Sequence, residues 1–131
     1  MKTKIKVVMA DDIEIIAKQL QTIVLESERV EKVSIALDGE EEITQIMNLE
    51  PDLVLTDMKM PKRTGLEVIE TIQCNQCVSK IPKFVLITGD RDYKLIEKSR
   101  MLGFDIEYKP IDPERIKQII DDFEIIEKWK F

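Results

Sequence analysis

The chain contains no histidine. That absence excludes Ser-His-Asp and Cys-His nucleophilic catalysis, and with them every His-ligated metal centre. Cysteine is nearly absent too, with Cys74 and Cys77 forming a lone C-x-x-C. Structural zinc wants four Cys or His ligands, and a redox pair belongs between a strand and a helix N-terminus. These two fall near the end of a helical stretch, before Pro82, and read as two reduced thiols. No run approaches the ~18 apolar residues of a membrane span, and no signal peptide opens the chain, so a cytoplasmic location is expected. Basic charge is in deficit: 20 Lys and Arg against 26 Asp and Glu give a net charge of -6. Nonspecific nucleic-acid binding, which neutralises phosphates with Lys and Arg, is therefore not expected of this domain.

What remains is a chain of 131 residues, 44% hydrophobic and 35% charged, the size and balance of one globular domain. Two periodicities alternate along it. Apolar runs at 4–10, 33–37, 52–57, 83–88 and 106–108 read as strands. Helical spacing follows each one. Ile13, Ile16, Leu20, Ile23 and Val24 mark a helix over 12–27 with an Asp at its N-cap. From Asp38-Gly39 a second helix carries Glu40, Glu41 and Glu42 in its first turn, where the dipole favours acids, and turns Ile43, Ile46 and Met47 inward. Leu66, Ile69 and Ile72 mark a third. A fourth runs from about 91 to 102 and ends at Gly103, and a fifth starts near Pro113 and runs to the C-terminus. Five strands alternating with five helices predict an α/β fold of parallel βαβ units with right-handed crossovers, three layers deep.

The strand tips carry the chemistry. Asp57 closes a buried strand and is followed at once by Pro61 and Gly65. The first strand ends in Asp11-Asp12, the fourth in Thr88 and the fifth in Lys109-Pro110. Taken singly, Asp11 or Asp12 reads as an N-cap, Thr88 as a β-branched strand end, and Lys109 as an exposed turn residue. Their co-occurrence at the carboxyl ends of parallel strands, where open α/β sheets bind ligands, points to a phosphoryl-acceptor site with a divalent metal.

Asp11-Asp12, the stretch Leu55-Thr56-Asp57-Met58-Lys59-Met60-Pro61, Thr88 and Lys109-Pro110 together resemble the receiver domain of two-component response regulators of the chemotaxis-regulator type. The resemblance spans residues 4–123. It implies a flavodoxin-like five-stranded sheet in the order 2-1-3-4-5. It also implies a receiver domain over 1–123; residues 124–131 are expected to extend the last helix, as a slightly longer packed helix or as a linker or dimer contact. By the same resemblance Asp57 is the phosphoacceptor, and Mg²⁺, for which Mn²⁺ could substitute, is held by Asp11, Asp12, Asp57 and the Lys59 carbonyl. Lys109 neutralises charge, and Thr88 reports phosphorylation. The implied donor is a sensor histidine kinase or a histidine phosphotransfer protein. The implied output is a face of the fourth helix, fifth strand and fifth helix, which is able to pair two copies. No enzyme activity beyond self-phosphorylation and self-dephosphorylation is implied.

Two positions depart from the family pattern. Ile106 stands where the family carries an aromatic residue, while Tyr108 is expected on the other face of the strand. Gly89 follows Thr88 where the family favours Ala. Beyond the domain, Ile126, Trp129 and Phe131 extend the apolar pattern, and Ile116, Ile119, Phe123 and Ile126 fit a short a/d seam. Two other classes share the architecture. A haloacid-dehalogenase-like phosphohydrolase needs a second acid two residues after its nucleophile, where this chain has Lys59. A flavodoxin-like FMN carrier needs a phosphate loop after its first strand, where Ala10-Asp11-Asp12 repels phosphate.

Overall fold

A computed structural model describes residues 4–75 and 78–123. The expected alternation is present. In chain order the elements are β1 (Ile5–Ala10), α1 (Glu14–Leu25), β2 (Val30–Ala36), α2 (Gly39–Leu49), β3 (Leu53–Asp57), α3 (Gly65–Cys74), β4 (Lys83–Thr88), α4 (Tyr93–Leu102), β5 (Asp105–Tyr108) and α5 (Pro113–Asp122). The five strands form one sheet in the order β2-β1-β3-β4-β5, and every neighbouring pair is parallel. No helix among the described residues is long and apolar enough to cross a membrane.

Period-two alternation within the apolar strands builds two cores rather than one. Ile5, Val7 and Met9 of β1, Leu53 and Leu55 of β3, and Val85 and Ile87 of β4 point to one face, where Val24 of α1 and Ile116 and Ile120 of α5 cover them. Val8, Val54, Phe84 and Leu86 point to the other, beneath Ile46 of α2, Val68, Ile69 and Ile72 of α3, and Leu95 of α4. The sheet is thus the middle of three layers.

Helix ends follow local chemistry. Asp38 caps α2 by accepting the Glu41 N–H, and Thr64 and Glu67 form a reciprocal capping box at α3. Asp92 caps α4, and Asp112 caps α5 ahead of Pro113 at its first position. Gly103 closes α4 with φ +76°, as expected of a glycine at that place.

Four expectations change. Helix α1 begins at Glu14, not residue 12; its N-cap is Ile13, which has no capping side chain. Asp11 instead accepts the Ile13 N–H at 2.9 Å. Ile13 and Ile16 do not face the core. The buried positions of α1 are Ala17 and Val24, with Leu20 and Ile23 packed beside them. In α2, Met47 is exposed, and the inward residues are Ile46 and Glu42. Finally, α5 ends at Asp122, where Phe123 has ψ 123° and Arg29 Nη1 donates to the Ile120 and Asp121 carbonyls. Ile116 is fully buried, which removes it from any exposed seam. The extension over 124–131, with Ile126, Trp129 and Phe131, lies outside the described residues, as does Cys77. Cys74 is the exposed last residue of α3.

Candidate functional site

Strand order fixes the place of the site. Strand β1 has β2 on one side and β3 on the other, so successive crossovers leave in opposite directions and open a crevice at the carboxyl ends of β1 and β3. Asp11 lies one residue past the end of β1, and Asp57 is the last residue of β3. One ligand oxygen from each of Asp11, Asp12 and Asp57 falls within a cluster 4.8 Å across. Asp11 and Asp57 are buried, while Asp12 faces solvent.

Lys109, one residue past β5, reaches back over the crevice, and its Nζ donates to Asp57 Oδ2 at 2.9 Å. The Lys109 side chain is half exposed and the carboxylate nearly sealed, so one open cation faces a buried anion. The other oxygen, Asp57 Oδ1, takes the Lys59 N–H at 3.4 Å. Thr88 ends β4 next to β3 and is buried. Its hydroxyl accepts the Asp90 N–H at 3.0 Å, and its carbonyl accepts the Lys109 N–H at 2.9 Å. Asp11, Asp12, Asp57, Thr88 and Lys109 therefore all sit at this one edge of the sheet. Lys59 is placed by sequence and loop position, two residues past Asp57 and exposed.

Electrostatics at the edge follow from crowding. Burial raises the Asp11 pKa most, and the neighbouring Asp57 and Asp12 charges raise it further. The Ile13 N–H and Lys109 work against that shift. Three carboxylates with one cation are an oxygen-only donor set. It suits a hard divalent ion such as Mg²⁺ and offers nothing to a metal that wants nitrogen or sulfur. Beside the acids opens a cavity of about 530 Å³ between α1 and the β5–α5 turn, lined by Ile16, Leu20, Ile23, Leu55 and Ile111 and by Asp57 and Lys109.

Sequence reasoning missed one residue. Glu42, read as one of three acids favoured by the α2 dipole, is fully buried, and its Oε1 accepts from the Thr56 hydroxyl at 3.0 Å. Its spacing was the available signal, because Glu42 stands four residues before the inward Ile46 and so shares its face.

Comparison with known proteins agrees with this fold. The family model described as the response regulator receiver domain matches residues 7–121. An uncharacterized transcriptional regulatory protein of Bacillus subtilis, YvfU, is 35% identical over 77 residues, covering 59% of this chain and 38% of its own. An uncharacterized response regulatory protein of Staphylococcus epidermidis is 28% identical over 119 residues, covering 88% of this chain and 45% of its own. The chain thus spans less than half the length of these curated relatives. Among solved structures, the chemotaxis protein CheY4 of Vibrio cholerae superposes with a TM-score of 0.77 over 90% of this chain and 97% of its own. At 19% identity that likeness establishes the fold alone.

Proposed function

The chain belongs to the response regulator receiver domain family, and on that premise we propose that it is the phosphoaspartate receiver of a two-component phosphorelay, with Asp57 as acceptor. Receiver domains of response regulators are phosphorylated by histidine kinases, and here the donor histidine must come from outside this sequence, which has none. The observation that carries the reading is the Lys109 Nζ contact with Asp57 Oδ2 at 2.9 Å. It joins a nearly sealed carboxylate to a cation at the strand switch point, with two further acids beside it.

Phosphoryl transfer asks a protein mainly for alignment and for neutralisation of charge on the equatorial oxygens. An Asp57 carboxylate oxygen forms the new O–P bond as the P–N bond to the donor imidazole breaks, leaving an acyl phosphate. Lys109 is free to follow the charge from the carboxylate to the phosphoryl oxygens. The Thr88 hydroxyl donates to one of those oxygens. Asp11, Asp12, Asp57 and the Lys59 carbonyl would hold Mg²⁺, which neutralises phosphoryl charge when bound. Ile16 of α1 lines the apolar cavity beside Asp57, and with the exposed Ile13 and Ile15 at the start of the helix it offers a donor protein a hydrophobic landing. The reading is of a cytoplasmic signalling domain whose only chemistry is gaining and losing its own phosphoryl group.

Acetyl phosphate or beryllofluoride with Mg²⁺ tests the assignment. One labile modification on Asp57, absent from Asp57→Asn, is expected. A labile phosphoryl group gained by Asp57→Asn at the wild-type rate would remove Asp57 as acceptor.

A further inference from the structure

Among the described residues, Glu42 Oε2 is the buried side-chain oxygen without a hydrogen-bond partner, and phosphoryl transfer at Asp57 makes no direct use of it. A buried acceptor left unpaired works against the fold, so its surroundings bear reading closely. Its other oxygen holds Thr56, the penultimate residue of β3, whose side chain turns away from the acid cluster towards α2. The Thr56 hydroxyl has one proton and two acceptors within reach: Glu42 Oε1 at 3.0 Å and the Asp57 carbonyl oxygen at 3.4 Å.

The same helix also grips the chain on the far side of Asp57. The Gly39 N–H donates to the Pro61 carbonyl at 3.2 Å. A Cβ on Gly39 would lie 2.5 Å from the Arg63 carbonyl oxygen, so the first turn of α2 lies directly against this loop. Lys62 pairs with Asp38 at 3.4 Å, and Arg63 with Glu40 at 2.8 Å. Helix α2 therefore holds the residue before the acceptor and the residues just after Met60.

We propose that α2 positions the acceptor, with Glu42 as its inner positioning residue: the Glu42–Thr56 hydrogen bond before Asp57 and the Gly39–Pro61 bond after it hold residues 57–59 from both sides. This rests on the receiver reading for its consequence, the rate of phosphoryl uptake, but not for its geometry. The backbone that presents the Asp57 carboxylate and the Lys59 carbonyl is set by a helix that contributes no group to the site. Loss of the Thr56 anchor frees the tip of β3 to shift, and misplacement by a fraction of an ångström is costly in an aligned transfer.

The test uses the full chain with Thr56→Val, Thr56→Ser, Glu42→Leu, Glu42→Gln and the Thr56→Val/Glu42→Leu double variant. Three quantities are followed: amide chemical shifts of Asp57 to Lys59, the rate of Asp57 labelling by acetyl phosphate with Mg²⁺, and urea stability. Thr56→Val and Glu42→Leu should move those amide resonances and slow labelling about tenfold even where stability holds or rises. Thr56→Ser and Glu42→Gln, which keep the donor and the acceptor, should stay near wild type. The double variant should be no slower than either single one, since both break one contact. Unmoved resonances with wild-type labelling in Thr56→Val and Glu42→Leu would overturn the proposal, as would single effects that multiply in the double variant. A wild-type protein that takes no label, yet whose resonances respond as described, would sink the receiver reading and leave the positioning role standing.

Discussion

A carboxyl sealed from water is costly in its charged form, and Glu42 shows the consequence. Burial pushes its pKa up to about 8 against an ordinary 4.5, and the Thr56 hydroxyl only partly opposes the shift. The folded protein thus keeps a proton that the unfolded chain gives up between those two values. An acid with a raised folded pKa favours folding below its unfolded pKa and loses that contribution as pH climbs. The expected slope is roughly 1.4 kcal/mol of lost stability per pH unit inside the window, levelling off above pH 8. Glu42→Gln removes the titration but keeps an oxygen for Thr56. Its stability relative to wild type should rise steadily from pH 5 to pH 8 in urea denaturation, and a constant difference would show that Glu42 stays ionised in the fold. At this scale the candidate site was legible, because Asp57, Asp11 and Lys109 each stand at a strand tip marked by the sequence. Glu42 was not. Three consecutive glutamates look alike in composition, and only the spacing of Glu42 before the inward Ile46 sets it apart from its neighbours.

Element boundaries record the same limit. Strands β3 and β4 were readable nearly to the residue, since a run buried on both faces has no polar interruption until its tip. Helix α1 was harder. Its isoleucines at 13, 15 and 16 are exposed, and the sheet instead takes Ala17, Leu20 and Val24. Apolar residues all round the first turn do not say which arc faces the core. Two glycines separate packing from freedom. At the start of α3, a Cβ on Gly65 would lie 2.5 Å from the Asp57 carbonyl oxygen and 2.7 Å from Leu86 Cδ1, so α3 reaches β3 only because that atom is missing. Gly65→Ala should cost about 1–3 kcal/mol through forced displacement. Gly89 has open space around it and no left-handed φ. Gly89→Ala should therefore be neutral to stabilising, by up to about 1 kcal/mol, by narrowing the unfolded ensemble. Paired denaturation curves decide both, and a destabilised Gly89→Ala would show that the β4–α4 loop needs glycine for a reason other than space.

For the molecule as a whole, stability and signalling meet at the carboxyl edge of the sheet. Asp11, Asp12 and Asp57 repel one another in a protein already at a net charge of -6, and Lys109, one cation against three acids, compensates only in part. A divalent ion bound only by the folded state raises stability in proportion to RT ln(1 + [Mg²⁺]/Kd). Mg²⁺ at a hundred times its Kd should add about 2.7 kcal/mol and a matching rise in Tm. Asp12→Asn should weaken that response while raising the metal-free Tm, since it removes one repelling charge. Equal Mg²⁺ affinity in wild type and Asp12→Asn would take Asp12 out of the coordination shell.

The same edge connects to the opposite flank of the molecule through Thr88. Its hydroxyl now accepts the Asp90 N–H, and Arg91, the next residue, stacks over the Tyr108 ring at 4.3 Å. A phosphoryl oxygen on Asp57 that recruits Thr88 as a donor disturbs the Asp90 contact, and with it the loop holding Arg91 against β5. Tyr108, expected on the opposite face from Ile106, lies two residues on, pairs with Thr88 as Ile106 pairs with Leu86, and so shares that face. The ring that feels the change is the one beside Thr88, not one at position 106. Tyr93 and Met101 stand exposed on α4 nearby. If Asp57 is phosphorylated, the expected surface to change is the α4–β5–α5 face, and we expect it to gain affinity for a second copy of the chain. Sedimentation with beryllofluoride and Mg²⁺ should show a doubled mass that Thr88→Ala diminishes without abolishing modification of Asp57. An unchanged mass, together with unmoved amide resonances across residues 91–120, would mean that the signal leaves the molecule by another face.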